Sequence, residues 1–362
     1  MSRAKVMIMA GGTGGHVIPG LTIAKALEDS GCTVVWLGVR GGIEEKLVPK
    51  ANIKIEYITV AGLRGKNLKN IITSLKKLFK ALFQCFSILK EQRPDVILGM
   101  GGYVSGPGGI AGFLMRYPLI IHEQNSIPGT TNKLLSKIAS SVLEAFPDSF
   151  EKKVNAKTVG NPIRNEIISI EQPKERLDGR DFPIRILILG GSQGSLVLNK
   201  SVPNSIKEIA SIAKLEVLHQ AGSKTIKEAQ KSYENVPVGL YLVEFIDEIA
   251  DAYQWADIVI CRAGAMTVSE LLAAGLPAIF IPFSLATDDH QTENAKFMKE
   301  IGAAEIVSEN EIEKGALSLI LRDWIQDRAI LKRRSCLARS SSKSEATNAI
   351  VETCLNYVDQ NE

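Results

Sequence analysis

Two glycine-rich turns could bind phosphate, because each places free backbone N–H groups at the start of a helical pattern. The first is Gly11-Gly12-Thr13-Gly14-Gly15, and the second is Gly190-Gly191-Ser192-Gln193-Gly194. Neither has the Gly-Lys-Ser/Thr end of a P-loop, which argues against ATP hydrolysis of that kind. Tight strand–helix packing alone would explain one such turn, but it explains two poorly.

A dinucleotide site would also need an acidic residue at the end of the second strand of a half, where it would bind the ribose. The first half has Gly38-Val39-Arg40 at that point, and the second has Gln220-Ala221-Gly222. NAD is therefore disfavoured, although Arg40 leaves NADP as a weak alternative.

A third cluster, Ala265-Met266-Thr267-Val268-Ser269-Glu270, stands in the second half where an apolar run gives way to a helical pattern. Its amide and hydroxyl donors suit a diphosphate, and the Glu270 carboxylate can accept both hydroxyls of a ribose. Helix capping would explain Glu270 alone, but not the whole cluster. Further on, residues 288–291 read Asp-Asp-His-Gln. A metal site there is disfavoured, because no Asp-x-Asp pattern occurs and no other His is near in sequence.

His16 and His122 are candidates for a general base, because a neutral imidazole readily accepts a proton near pH 7. His16 follows the first glycine-rich turn, and His122 ends an apolar run. Either ring could instead only hydrogen-bond a loop carbonyl, and for His122 the two interpretations stay open on equal terms.

These residues must be positioned by short apolar runs that alternate with helical patterns. Continuous apolar runs indicate strands that are buried on both faces of a parallel sheet. We predict strands at 6–10, 34–38, 55–60, 96–99, 119–122, 184–189, 216–220, 241–245, 258–261 and 278–282, and helices that include 19–30 and 266–274. The fold class is therefore α/β, with two Rossmann-like, doubly wound domains and a boundary near residues 160–162.

Charge is distributed unevenly along the chain. Residues 1–164 hold 22 Lys and Arg against 11 Asp and Glu, whereas the remainder holds 21 against 29. A basic half indicates a polyanionic partner, such as a membrane surface, nucleic acid or a phosphorylated substrate. The alternative is that surface charge became unevenly distributed without any functional cause. Residues 64–93 carry eight Lys and Arg, one Glu and apolar residues at helical spacing. This amphipathic basic helix could lie on anionic lipid, and packing of its apolar stripe on the sheet is compatible with that.

The sequence predicts neither a membrane span nor a signal peptide. Residues 96–115 are uncharged but include seven Gly and one Pro, and the apolar stretch at 6–10 is too short for a signal sequence. Five widely spaced cysteines without a Cys-x-x-Cys pair indicate a reducing cytosol, and they argue against a disulfide framework or a zinc site.

Taken together, the motifs resemble the MurG family of N-acetylglucosaminyltransferases. They are Gly-Gly-Thr-Gly-Gly-His-Val-Ile-Pro-Gly at 11–20, Gly-Gly-Tyr-Val-Ser-Gly-Pro at 101–107, His-Glu-Gln-Asn at 122–125, Gly-Gly-Ser-Gln-Gly at 190–194 and the cluster at 265–270. The resemblance runs from about residue 5 to residue 310. It implies the GT-B fold, in which two Rossmann-like domains face a cleft. An acceptor- and membrane-facing domain would span 1–162 and be joined by a C-terminal helix at 341–362, and a UDP-sugar domain would span 163–340.

The resemblance also implies a reaction. It is the inverting transfer of N-acetylglucosamine from UDP-N-acetylglucosamine to the C4 hydroxyl of N-acetylmuramoyl-pentapeptide on undecaprenyl pyrophosphate. This step converts lipid I into lipid II in peptidoglycan synthesis, and so serves cell wall biogenesis, cell shape, cell division and the cell cycle. The implied partners are this donor, lipid I and an anionic membrane surface, with no nucleic acid, cofactor or metal. The implied location is peripheral, on the cytoplasmic face of the bacterial inner membrane.

Site residues follow from the same resemblance. Donor contacts are expected at Thr13, Gly14, Gly15, Asn125, Arg164, Ser192, Phe245, Ile246, Ala265, Met266, Thr267, Val268, Ser269, Glu270 and Gln291. Acceptor contacts are expected at Gly12, Gly102, Tyr103, Ser105, Gly106 and His122, with His16 as the candidate general base. In this assignment the backbone of Ile246 reads uracil, Glu270 holds the ribose, and Arg164 stabilises the leaving diphosphate.

One position departs from the family pattern, because Leu285 stands where many members have His. A role that this His has elsewhere cannot be transferred to the present chain. Three alternatives stay open at this stage: a UDP-N-acetylglucosamine 2-epimerase, an NADP-dependent oxidoreductase, and a non-catalytic protein that binds a sugar nucleotide or a membrane.

Overall fold

The computed structural model describes residues 3–60, 68–191, 193–283 and 289–359, without the side chains of 68–75. The chain divides into two compact units. Unit 1 comprises Met1–Ile163 and Lys343–Glu362, and unit 2 comprises Arg164–Ser342. The N-terminal and C-terminal segments of the chain therefore fold together.

Unit 1 is built, in its described residues, on a seven-stranded parallel sheet in the order β3-β2-β1-β4-β5-β6-β7. The strands are β1 Lys5–Ala10, β2 Thr33–Val39, β3 Lys54–Ile58, β4 Val96–Gly101, β5 Leu119–Glu123, β6 Ser141–Glu144 and β7 Lys157–Thr158. The helices are α1 Gly14–Asp29, α2 Glu44–Lys50, α3 Leu68–Gln92, α4 Ser105–Leu114, α5 Thr130–Leu135 and the C-terminal α16 Ala346–Asp359, with a 3-10 turn at Lys152–Val154.

Strand β1, an interior strand of the unit 1 sheet, explains why the apolar runs are continuous. Successive side chains of a strand point to opposite faces of the sheet. Val6, Ile8 and Ala10 of β1 belong to a core shared with α1 and α16, whereas Met7 and Met9 belong to a second core with α3 and α4. Both faces of the strand are covered from Val6 to Ala10, and all five of these positions are apolar.

Unit 2 is built, as far as the structure describes it, on a six-stranded parallel sheet in the order β10-β9-β8-β11-β12-β13. The strands are β8 Ile184–Leu189, β9 Leu215–Gln220, β10 Gly239–Val243, β11 Ile258–Cys261, β12 Ala278–Phe280 and β13 Ala304–Ile306. The helices are α6 Asn165–Ile168, α7 Pro173–Arg176, α8 Leu196–Ala210, α9 Ile226–Ser232, α10 Ile249–Trp255, α11 Ala265–Ala274, α12 His290–Glu300, α13 Glu309–Ile312, α14 Ala316–Ile325 and α15 Arg328–Ser340.

The predicted α/β class with two doubly wound parallel sheets is confirmed, and all ten predicted strands are present. Three short strands, β6, β7 and β13, were not predicted, because each contains a charged residue and none is a continuous apolar run. Helix α1 begins at Gly14, five residues before the predicted start at Pro19. The last two glycines of the first turn are therefore helical, and His16 lies in the first turn of α1.

None of the helices in the described residues is both long enough and apolar enough to cross a bilayer.

Candidate functional site

Each sheet has a topological switch point, where successive connections leave a central strand toward opposite edges of the sheet. In unit 1 it lies between β1 and β4, and in unit 2 it lies between β8 and β11. Ligands of open α/β sheets bind beside the carboxyl ends of such strands. The glycine-rich turns follow β1 and β8, and the 265–270 cluster follows β11, so the predicted motifs lie at the switch points of their own units.

In unit 2, three side chains converge on the start of α11. Glu270 accepts a hydrogen bond from the Tyr253 hydroxyl at Oε2 (3.0 Å) and pairs with Arg164 Nη2 at Oε1 (3.2 Å). Burial raises the pKa of Glu270, and the Arg164 cation and the Tyr253 hydroxyl oppose that rise. The two partners thus favour the ionised carboxylate, which is the form that accepts two ribose hydroxyls.

The first turn of α11 offers backbone donors beside this carboxylate. Gly264 is the N-cap, and the first bond that its carbonyl accepts within the helix comes from Val268 N. The N–H groups of Ala265, Met266 and Thr267 precede that bond, so they have no acceptor inside the helix. An anion is favoured at this position by these donors and by the helix dipole.

Two other predicted donor contacts of unit 2 are engaged within the protein. The Ile246 amide donates to Gln220 Oε1 (3.1 Å), and the Phe283 amide donates to Gln291 Oε1 (3.0 Å). Phe245 is exposed. Ser192 lies outside the described residues, as do Leu285 and Asp288, which belong to the departure and to the disfavoured metal cluster of the sequence analysis.

In unit 1, His16 is half-buried against the turn that follows β4. Its ring lies so near Gly101 that an added Cβ there would be 3.0 Å from His16 Cδ2. His16 Nδ1 is 3.1 Å from the Thr13 hydroxyl. Burial lowers the pKa of His16, and the carboxylates of Glu123 and Glu44 and the carbonyl of Gly11 oppose that shift. The imidazole is therefore neutral at physiological pH, as a general base must be.

Glu44 is a functional candidate that the sequence analysis missed. It is fully buried, and its carboxylate accepts from the amides of Gly12 (3.1 Å) and Val39 (3.1 Å). An added Cβ on Gly11 would lie 2.5 Å from Glu44 Oε1, which explains why that position is glycine. One N–H of the first glycine-rich turn is thus already bound to a carboxylate of the chain, whereas the sequence analysis assigned Gly12 to the acceptor.

His122 and Ser105 hold the backbone, and this geometry disfavours the direct acceptor contact that was expected of them. His122 is fully buried, its Nε2 donates to the Gly160 carbonyl (2.9 Å), and its Nδ1 accepts from Gln124 Nε2 (3.0 Å). Burial lowers the pKa of His122. Ser105 is also fully buried, and its hydroxyl donates to the Gly101 carbonyl (2.8 Å). Both side chains therefore have their polar atoms inside unit 1.

The neighbours of these two residues are more accessible. Tyr103 is exposed, and Gly102 and Gly106 are half-buried. Asn125 is held at the end of β5, because its backbone N–H (2.9 Å) and its side-chain Nδ2 (3.1 Å) both donate to Glu123 Oε1. This arrangement fixes the orientation of the Asn125 amide at the carboxyl edge of the sheet.

Within the residues that the structure describes, no three His, Cys, Asp or Glu side chains are placed to hold a metal ion.

Comparison with known proteins identifies the family. The glycosyltransferase family 28 N-terminal domain matches residues 6–144, and the glycosyltransferase family 28 C-terminal domain matches residues 185–350. Proteins of Marinobacter nauticus and Proteus mirabilis are each 44% identical to this chain, over 98% and 97% of it and over 97% and 98% of their own lengths. Both are named UDP-N-acetylglucosamine–N-acetylmuramyl-(pentapeptide) pyrophosphoryl-undecaprenol N-acetylglucosamine transferase.

Solved structures agree with this assignment. The crystal structure of Acinetobacter baumannii MurG is 37% identical and superposes with a TM-score of 0.88, over 98% of this chain and 99% of that one. A UDP-N-acetylglucosamine 2-epimerase of Neisseria meningitidis shares the fold at 16% identity, with a TM-score of 0.68 over 97% of this chain and all of the other. The chain belongs to glycosyltransferase family 28 and, within it, to the MurG family of N-acetylglucosaminyltransferases.

Proposed function

We propose that this protein transfers N-acetylglucosamine from UDP-N-acetylglucosamine to the C4 hydroxyl of N-acetylmuramoyl-pentapeptide on undecaprenyl pyrophosphate, which turns lipid I into lipid II. The observation that carries the proposal is that Glu270, held by Arg164 and Tyr253, lies at the unit 2 switch point on α11, the same helix whose first amides have no acceptor within it. A carboxylate beside an anion site suits a ribose that is joined to a diphosphate. The name shared by the full-length relatives specifies the sugar and the acceptor.

In this proposal unit 2 binds the donor and unit 1 binds the acceptor. His16 removes the proton from the C4 hydroxyl as the oxygen attacks the anomeric carbon of the donor. The bond from that carbon to the diphosphate breaks, the configuration inverts, and UDP leaves with the electron pair. The amides of α11 and the Arg164 cation stabilise the negative charge that develops on UDP.

The acceptor diphosphate is assigned to the two turns beside the β1–β4 switch point. The amides of Gly14 and Gly15 in α1 and of Gly106 in α4 lie in the first turn of their helices and have no acceptor within them. The assignment adds Gly102 and the exposed Tyr103. Ser105 contributes by holding the backbone at the end of β4 through its bond to Gly101, whereas His122 holds the segment after β7 through its bond to Gly160. The excess of Lys and Arg in residues 1–164 favours a lipid-linked anion there.

We further propose that α3 and α4 bring unit 1 to the cytoplasmic face of the inner membrane. The two helices pack against each other, and Phe79 and Phe83 of α3 and Phe113 and Leu114 of α4 are exposed. Lys76, Lys77 and Lys80 are exposed on the same helix as the two Phe. Aromatic side chains flanked by cations are typical of a surface that lies in the interface of an anionic bilayer. The part of the basic segment before residue 68, with Arg64 and Lys66, lies outside the described residues.

Vesicle flotation tests the membrane surface. Phe83→Ser should weaken binding to vesicles that contain phosphatidylglycerol, while transfer to a water-soluble acceptor analogue keeps its wild-type rate. Leu319→Ser serves as the control, because Leu319 of unit 2 is also an exposed apolar residue (60%, against 71% for Phe83). Equal loss of vesicle binding in both variants, or in neither, would contradict the assignment to α3 and α4.

The transfer itself is tested with radiolabelled UDP-N-acetylglucosamine and a short-chain lipid I analogue. Label should appear in the acceptor only when the analogue is present, and UDP should be released in equal amount. Release of UDP into water without acceptor, or conversion of the donor into its 2-epimer, would overturn the proposed reaction in favour of a hydrolase or an epimerase.

A further inference from the structure

The buried phenol of Tyr253 in unit 2 is a polar group that no step of the proposed reaction uses. Its side chain is 1% exposed on α10, and its hydroxyl donates to Glu270 Oε2 at 3.0 Å. Burial and the Glu270 carboxylate raise the pKa of Tyr253, so the phenol stays protonated and acts as a donor. A buried hydroxyl is costly without a partner, and Phe would fill the same space without that cost.

The helices that carry the two side chains are tied together at their carboxyl-terminal ends. The Arg176 guanidinium, itself buried, donates to the carbonyls of Tyr253 (3.1 Å) and Ala256 (3.0 Å) at the end of α10. It also donates to the carbonyls of Ala274 (3.3 Å) and Gly275 (2.7 Å) at the end of α11. The Tyr253 hydroxyl is therefore held at a fixed place relative to Glu270 before any ligand arrives.

The two partners of Glu270 differ in how freely they can leave it. Arg164 contacts Glu270 Oε1, and its side chain is 40% exposed. Tyr253 contacts Glu270 Oε2, and its side chain is buried. A diphosphate bound at the α11 amides would compete with Glu270 for the Arg164 cation. Once Arg164 turned toward phosphate, the Tyr253 hydroxyl would be the contact that keeps the carboxylate in place for the ribose.

From this geometry we infer that Tyr253 is a positioning residue for the donor: it orients Glu270 toward the ribose hydroxyls while Arg164 serves the diphosphate. The inference rests on the proposed function, because it assumes that a uridine diphosphate sugar is the donor. The carboxylate oxygen that accepts from Tyr253 retains a second lone pair for one ribose hydroxyl, and the other oxygen takes the second hydroxyl.

Substrates with and without the 2′-hydroxyl test the inference in the full-length protein. Tyr253→Phe should raise the KM for UDP-N-acetylglucosamine about tenfold, as expected when a hydrogen bond to a charged group is lost. It should leave kcat near the wild-type value, and it should raise the KM for the 2′-deoxy donor clearly less, because that donor keeps only the 3′-hydroxyl contact with Glu270. The wild-type preference for the ribose donor would shrink accordingly.

Tyr233→Phe is the matched control, since it removes another buried hydroxyl of unit 2, one that lies 3.0 Å from His219 Nδ1. It should leave the preference between the two donors unchanged. If Tyr253→Phe weakens both donors equally, or neither, the positioning role is wrong.

Calorimetric binding of UDP and of 2′-deoxy-UDP separates this failure from that of the proposed function. Wild-type protein that binds neither nucleotide would overturn the donor assignment itself. Wild-type protein that prefers UDP, beside a Tyr253→Phe variant that keeps the whole preference, would overturn only the role of Tyr253.

Discussion

At the scale of single residues, the first glycine-rich turn couples a histidine to a buried carboxylate. His16 lies in the first turn of α1, and the Glu44 carboxylate binds the Gly12 amide of the same turn. Glu44 thereby holds the backbone in place, and its negative charge raises the pKa of the imidazole against the effect of burial. Two predictions separate these effects.

The first prediction concerns the pH dependence of turnover. His16 acts as a base only when neutral, and its pKa lies below the ordinary value of 6.5. The acid limb of kcat/KM for the acceptor should therefore fall below pH 6.5, with activity lost as the pH drops through it. His16→Ala should abolish this limb and lower kcat far more than it weakens donor binding. Equal loss of kcat and donor affinity would exclude His16 as the base.

The second prediction concerns Glu44→Gln. This change removes a negative charge that raises the pKa of His16, so the acid limb should move to still lower pH. The control is Glu45→Gln, the neighbouring residue, whose carboxylate pairs with the exposed Arg40. Profiles of kcat/KM against pH for the two variants decide the point, and a shift to higher pH in Glu44→Gln would contradict it.

At the scale of elements, the ends of α10 and α11 depend on one guanidinium. Carbonyls in the last turn of a helix have no partner within the helix. Arg176 of α7 supplies donors to four carbonyls at or just beyond the two helix ends, and burial lowers its pKa to about 10, which leaves it charged at neutral pH. A short helix that is distant in sequence thus completes two helices that carry the donor site.

The third prediction follows from this contact. Arg176→Leu should reduce the free energy of unfolding of unit 2 by about 3 kcal/mol or more, because several buried carbonyls lose a charged donor. Hydrogen–deuterium exchange should become faster in α10 and α11, while β1 and β4 of unit 1 keep their protection. The exposed Arg333→Leu in the same unit is the control, and comparable exchange in both variants would show that the contact has no such effect.

At the scale of the whole molecule, the C-terminal segment returns to the unit that the N-terminal segment builds. Ile350, Cys354 and Val358 of α16 belong to the core that contains Val6 and Ile8 of β1. Unit 1 is therefore discontinuous in sequence, whereas unit 2 is one continuous segment. The stability of unit 1 depends on residues that lie more than 300 positions from its first strand.

The fourth prediction uses this division. Ile350→Ala removes a fully buried side chain, which should cost unit 1 about 2–4 kcal/mol. Hydrogen exchange should accelerate in β1, β2 and β4 and stay unchanged in β8 and β11. Leu355→Ala, at a half-buried position of the same helix, should have a smaller effect. Faster exchange in unit 2 as well would show that the two units unfold together.

The sequence by itself determined the elements and the class of site. Apolar runs such as 186–189 and 258–261 define buried strands, and glycine-rich turns define where phosphate can approach. These features are local, because a strand buried on both faces needs an apolar side chain at every position, and a turn needs its glycines within a few residues. The motifs at 11–20, 101–107, 122–125, 190–194 and 265–270, taken together, predicted the family.

Only the tertiary structure decided which polar groups bind one another. The Arg164 and Glu270 side chains are 106 positions apart in sequence, and they meet because α6 and α11 pack against each other. The sequence around either residue does not predict this contact. Glu44 resembles an ordinary acidic residue in the first turn of a helix, and Tyr253 resembles an ordinary core aromatic. His122 stands in a motif, yet the fold buries it and binds both its nitrogens. Such contacts depend on how elements that are distant in sequence pack against each other, and short-range periodicity does not predict that packing.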